Sequence, residues 1–324
     1  MNLNESKSLQ FELWQECNND CKFCYLGHEN RRTPKDVKLS SLQRALNIIS
    51  DENNYPEYNT IGFIGGEFFQ GQLKDADVRS LFFKVMKKTA DLYNSKKIKQ
   101  VWISATLTIG HQQDLYQTLR LFNDHNDIWI ITSWDTIGRF KSDKMKDTWD
   151  FHMKNLKKEF PQIKINICTI LTDDCITKYL DGKLSFQAMM HEYNASFFFK
   201  QCGCIYNKSS ESSFADQMKA KQFSNTILPG FFPTRKKFIN FLKLFKEQET
   251  EDMWMRLFNI KYRADNLFRS FNDGSIDTYH RFKDTKGEVD DSDPMPCGHP
   301  FVYCAYIDSD ACVLCDKQKL SLYD

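Results

Sequence analysis

Residues 11–27 read FELWQECNNDCKFCYLG. A short alternating apolar run closes at Trp14, and Cys17, Cys21 and Cys24 follow it, so a CxxxCxxC spacing stands directly behind a candidate strand over 9–14. Three thiolates on one short loop can hold three irons of a cubane cluster and leave the fourth iron open to a non-protein ligand. The same residues also admit a structural zinc site, with His28, four positions beyond Cys24, as its fourth ligand.

Working outward, period-2 apolar runs alternate with period-3.6 segments, the pattern of βα units around a parallel sheet. Strands are expected at 9–14, 60–64, 98–107, 128–133, 163–171 and 195–201. Helices are expected at 40–50, capped by Ser40 or Ser41, and at 75–93, 112–123, 143–160 and 183–193. Six strands, each but the last followed by a helix, suit an α/β fold: a partial six-stranded parallel (β/α)6 barrel, open along one side, with a small cysteine-rich C-terminal region. Residues 205–230 carry Ser and Asn runs and the turn-forming Pro229-Gly230, which divides the chain into a barrel at 1–204 and a second part at 205–324. That second part holds helical segments at 234–248 and 252–270 and then the cysteine-rich region. The stripe Phe238, Phe241, Leu242 and Phe245 reads as core.

Lys and Arg number 44 against 43 for Asp and Glu, so bulk charge points to neither nucleic acid nor a membrane surface. The opening MNLNESKSLQ lacks the basic and apolar regions of a signal peptide, and no apolar run reaches membrane-spanning length. A cytoplasmic protein is therefore expected. Cytosolic thiols stay reduced, so clustered cysteines there bind metal or do chemistry, and seven of the eleven in this chain fall in two clusters.

CNNDCKFC resembles the CxxxCxΦC motif of the radical S-adenosylmethionine (SAM) superfamily, with Phe23 at the aromatic position. The resemblance implies a [4Fe–4S] cluster on Cys17, Cys21 and Cys24, with the SAM amino and carboxylate groups on the open iron. It further implies reductive cleavage of SAM to a 5′-deoxyadenosyl radical that abstracts a substrate hydrogen. Gly65-Gly66-Glu67, at the end of the second expected strand, looks like the family's GGE motif. There the glycines would let backbone approach a ligand, and the carboxylate would accept hydrogen bonds from the SAM ammonium. Phe68 stands where the family often has proline. Ser133-Trp134-Asp135 is similar to the SxDG of peptide-modifying members, with Thr136 in place of the glycine. Ser104, Ser133, Asp135 and Thr169 fall near the carboxyl ends of expected strands, where they could contact SAM or act as ordinary caps. Cys168 reads as core filler. Cys202 and Cys204 close the sixth expected strand and are candidates for a redox pair, a radical-quenching thiol or substrate contacts, or are plain thiols.

The tail places Cys297, Cys304, Cys312 and Cys315 within nineteen residues, with His299 among them. Four soft ligands at that density point to a second metal centre, either an auxiliary [4Fe–4S] cluster or zinc. The pattern looks like the start of a SPASM or twitch region, without its hairpin glycine around Asp308-Ser309-Asp310. By the resemblance, the substrate is a peptide or protein side chain and the electron donor a flavodoxin or ferredoxin. A nucleotide or nucleic-acid base as substrate, and a non-catalytic iron–sulfur sensor, are the rival readings.

Overall fold

Alternating apolar residues build a single sheet of order β6-β5-β4-β3-β2-β1-β7-β8. Its strands are β1 (Ser8–Glu12), β2 (Thr60–Ile64), β3 (Gln100–Ser104), β4 (Ile128–Ser133), β5 (Lys164–Leu171), β6 (Ser196–Gln201), β7 (Leu267–Ser270) and β8 (Ile276–Tyr279). This computed structural model describes residues 8–17, 19, 21, 33–51, 59–69, 71–108, 112–201, 235–250, 253, 267–270 and 276–279. β1 to β6 run parallel in sequence order, as the (β/α)6 reading requires. β7 adds to the outer side of β1 in parallel and β8 returns antiparallel to it. The expected helix over 252–270 therefore gives way at its end to a strand, whose Leu267 and Phe268 pair with Ser8 and Leu9.

Register sorts the side chains onto two faces, because partners in a parallel ladder share a face and neighbours along a strand do not. Leu9 and Phe11, Ile61 and Phe63, Val101 and Ile103, Ile128 and Ile130, Ile165 and Ile167, and Phe197 and Phe199 form one continuous apolar row, all buried. Helices cover this row, as Phe186 shows by lying 5.3 Å and 4.9 Å from the rings of Phe197 and Phe199. The opposite, inner face mixes Gln10, Glu12, Ser104, Ser133, Asn166 and Cys168 with Ile64, Trp102, Trp129, Ile131, Ile170 and Phe198, a more polar set. One face of the sheet thus makes the apolar core, and the polar side chains of the strands gather on the other.

The covering helices are α1 (Lys35–Ser50), α2 (Ala76–Asn94), α3 (Gln113–Leu119), α4 (Asp143–Glu159), α5 (Asp173–Leu180), α6 (Phe186–Tyr193) and α7 (Arg235–Gln248). α1 starts at Lys35, five residues before the expected start, and Ser41 lies buried within it rather than capping it. The interval after β5 holds two helices where one was expected. Thr172 caps α5 through the Cys175 amide at 3.2 Å, and Ser185 caps α6 through Ala188 at 3.1 Å. α7 packs Phe241 and Phe245 against Tyr179 of α5 at 5.2 Å and 5.7 Å, and Lys237 pairs with Asp173 at 2.7 Å. This helix joins the layer beside β6. The boundary expected around 205–230 lies outside the described residues.

Candidate functional site

The segment that leaves β1 does not turn away at once but continues alongside the end of β2. Leu13 N donates to Ile64 O at 3.3 Å, Gly66 N to Trp14 O at 2.9 Å and Glu67 N to Glu16 O at 2.8 Å. This ladder brings the GGE turn against the residues that lead into Cys17. A Cβ at Gly65 would overlap the Trp14 carbonyl oxygen, and one at Gly66 would overlap the carbonyl oxygens of Gln15 and Glu16. The two glycines therefore permit a close approach of one backbone to another. Lys38, buried on α1, forms an ion pair with Glu16 and sits 6.0 Å from the centre of the Trp14 ring, which fixes the same segment from the helix side.

Glu67 is 2% exposed and its carboxylate is held by backbone amides. Oε1 accepts from Phe68 N and Phe69 N, each at 2.9 Å, and Oε2 accepts from Thr106 N. Burial pushes its pKa up, and the Thr106 side chain with the amides of Phe69, Thr106 and Phe68 works against that shift. The Glu67 carbonyl in turn accepts from Trp14 Nε1 at 3.1 Å. The side chain straps the ends of β2 and β3 together, and the Glu67 backbone ties them to the segment that follows β1. Beyond Thr106, Leu107 takes a left-handed φ of 56° although it is 1% exposed, a conformation that costs an L-residue about 1–2 kcal/mol. The turn sets the Thr106 and Thr108 hydroxyls 3.1 Å apart, and Thr108 donates to Asn19 Oδ1 in the cysteine loop at 3.0 Å.

At the end of β4, Asp135 is 2% exposed; its Oδ1 accepts from Ile170 N at 2.6 Å and its Oδ2 from Arg139 Nε. Burial pushes the Asp135 pKa up to about 6, with Arg139 and the Ile170 amide pulling the other way. Burial also works against the charge on Arg139, but Asp135 and the neighbouring Cys21 outweigh it and hold the guanidinium protonated. Arg139 Nη1 lies 3.5 Å from Cys21 Sγ. The arrangement joins the SxD segment to the cysteine loop through a residue that sequence reading did not single out.

Ser104 and Ser133 lie on the inner face at the carboxyl ends of their strands, half-buried. Thr169 does not join them. It falls on the helix-covered face, fully buried, and its hydroxyl donates to the Trp134 carbonyl at 3.0 Å. Cys168 is buried on the inner face, 6% exposed. Phe23, Cys24, His28, Cys202, Cys204, Cys297, His299, Cys304, Cys312 and Cys315 lie outside the described residues.

The described part of the loop fits an iron–sulfur centre in its donor chemistry. Cys17 is half-buried, Cys21 is buried, and a guanidinium beside the Cys21 thiol favours the thiolate, which is the form that ligates iron. Among the described residues no third ligand is brought to these two. Two supporting residues carried a sequence signal that could have found them. Arg139 stands four positions after Asp135, the spacing of a local ion pair, and Lys38 shares the helical phase of Leu42, Ala45 and Ile49.

No family model matches the chain, and no curated protein matches it. Among solved structures it is similar to Streptococcus suis SuiB bound to S-adenosylmethionine, at 15% identity and a TM-score of 0.43, over 88% of this chain and 63% of that one. It is similar to native anSMEcpe with bound AdoMet at 16% identity and a TM-score of 0.47, over 84% of this chain and 73% of that one. SuiB bound to the precursor peptide SuiA matches at 17% identity and a TM-score of 0.40, over 84% of this chain and 59% of that one. The chain thus spans less than two thirds of the length of SuiB. Among the described residues no helix is long and apolar enough to cross a membrane.

Proposed function

We propose that this chain is a radical SAM enzyme in which Cys17, Cys21 and Cys24 hold a [4Fe–4S] cluster beside the GGE turn. The observation that carries the reading is the ladder from Leu13 to Glu67, which joins the CxxxCxxC loop to the GGE turn at the carboxyl ends of parallel strands. Barrel enzymes build their sites at that end. A cluster held by Cys17, Cys21 and Cys24 would supply the electron for reductive cleavage of SAM. The chain's own part is to hold and shield. Glu67 locks the loop ends together, Trp14 and Phe68 pack edge to face at 5.1 Å, and Ser104 and Ser133 stand half-buried on the inner face.

The substrate class we propose is a peptide or protein side chain, on the strength of the SxD resemblance and of a sheet whose described strands run from β6 to β8 in open order. Cys297, Cys304, Cys312 and Cys315 would form the second metal centre, and a flavodoxin or ferredoxin would deliver the electron. Anaerobic reconstitution with iron and sulfide, followed by dithionite and SAM, is expected to yield 5′-deoxyadenosine without substrate. Cys17→Ala, Cys21→Ala and Cys24→Ala are each expected to abolish it. Cleavage at the wild-type rate by any one of them removes that cysteine from the ligand set.

A further inference from the structure

Asp135 and Arg139 form a buried ion pair in contact with a cysteine that the proposed function makes a metal ligand. Arg139 is 9% exposed and Asp135 2%. Taking two charges out of water is costly, and an apolar pair of similar volume often serves stability equally well. What this pair provides beyond packing is direction. The guanidinium is a rigid planar fork; Asp135 holds it through Nε, and the Ile170 amide at 2.6 Å holds Asp135 in turn. With its plane fixed in this way, Arg139 presents Nη1 to Cys21 Sγ at 3.5 Å.

We infer that Arg139 is a positioning residue for the Cys21 thiolate, and that its charge, anchored by Asp135, raises the reduction potential of the centre Cys21 ligates. The inference rests on reading Cys17, Cys21 and Cys24 as cluster ligands. An N–H···S hydrogen bond and a nearby cation both favour the more negative, reduced state over the oxidised one. Reduction here takes one electron from a low-potential one-electron donor; no bond breaks and no proton moves. The two members of the pair act with opposite sign. Without Arg139, Cys21 loses its neighbouring cation, whereas without the Asp135 charge it faces an uncompensated one.

The test is a potentiometric titration of the reconstituted full chain followed by electron paramagnetic resonance, reading only the part of the reduced signal that changes when SAM is added. If the wild-type chain has no such signal, the three-cysteine reading itself fails and the inference goes with it. Where the signal is present, Arg139→Gln is expected to lower the potential by at least a tenfold change in the reduction equilibrium, about 59 mV for one electron. Arg139→Lys, which keeps the charge, is expected to fall less. Asp135→Asn is expected to raise the potential, a direction that loss of a merely structural contact does not produce. A fall smaller than tenfold in Arg139→Gln, or a rise, overturns the inference. If Arg139→Gln does not take up the cluster, Asp135→Asn decides alone: a rise supports the inference, and no shift or a fall overturns it.

Discussion

Replacing Glu67 separates two roles that a GGE motif can combine, contact with SAM and internal bracing. In the structure the carboxylate is held by the backbone amides of Phe68, Phe69 and Thr106 and by the Thr106 side chain. Glu67→Ala would leave three buried N–H groups without an acceptor, at about 1–3 kcal/mol each. Removing a buried carboxylate returns some of that, since burial already disfavours its charge. A net loss of about 3 kcal/mol or more remains, a large share of the 5–15 kcal/mol that typically holds a domain folded. Glu67→Gln is milder for a geometric reason. Its single carbonyl oxygen can face the Phe68 and Phe69 amides, while its NH2 meets the Thr106 N–H and keeps only the Thr106 hydroxyl as partner, so the strap from β2 to β3 is weakened, at about 1–3 kcal/mol.

The assay is thermal unfolding of the metal-free protein in the absence of SAM, where a lost SAM contact cannot register. At about 2–4 °C per kcal/mol, Glu67→Ala is expected to melt at least about 6–12 °C below wild type and Glu67→Gln about 2–12 °C below, by less than Glu67→Ala in the same assay. A Glu67→Ala protein that melts with the wild type, while its cluster-loaded form binds SAM tenfold more weakly, would show that the bracing role has been misassigned.

Gly66→Ala should force Gln15 and Glu16 away from the GGE turn and lower the iron bound per chain on reconstitution, whereas Gly182→Ala, with φ 68° and open space around it, should cost about 1–2 kcal/mol of stability without changing iron content. Iron analysis of both variants checks this, and equal iron in the two refutes it. Lys38→Met strips the cation from Glu16, whose side chain is 23% exposed, and should destabilise by about 1–3 kcal/mol; adding Glu16→Gln should recover part of the loss in urea titrations. In a Cys17/Cys21/Cys24 triple-alanine chain, the tail cysteines should still bind metal. About four irons with sulfide would mark a cluster and one zinc without sulfide a structural site, while a folded chain with neither metal would refute a second centre.

What could be read from the sequence and what could not divide along physical lines. Strands β1 to β6 were legible to within a few residues, because each is a short apolar run and period 2 is a local signal. Strand β7 was not, since Leu267–Ser270 has meaning only once β1 lies beside it. The same local rule, applied further, would have placed Thr169 correctly. Ile165, Ile167 and Thr169 share a parity, so the residue after Cys168 belongs with the apolar row and not with Ser104 and Ser133. Asp135 lies past the end of β4, and parity says nothing about where a residue there will point. That Glu67 faces its own backbone depends on the Thr106 amide, thirty-nine residues away, and so on the β2–β3 pairing. Lys38 was passed over because it precedes the expected helix start at 40, and its pairing with Glu16 follows only from the fold. The legible features of the site are those with a spacing, namely the cysteines and the two glycines. Those that hold it in place, Arg139, Lys38 and the Thr106–Thr108–Asn19 chain, owe their roles to long-range pairing. Sequence reading alone therefore names metal ligands sooner than it names the residues that tune them.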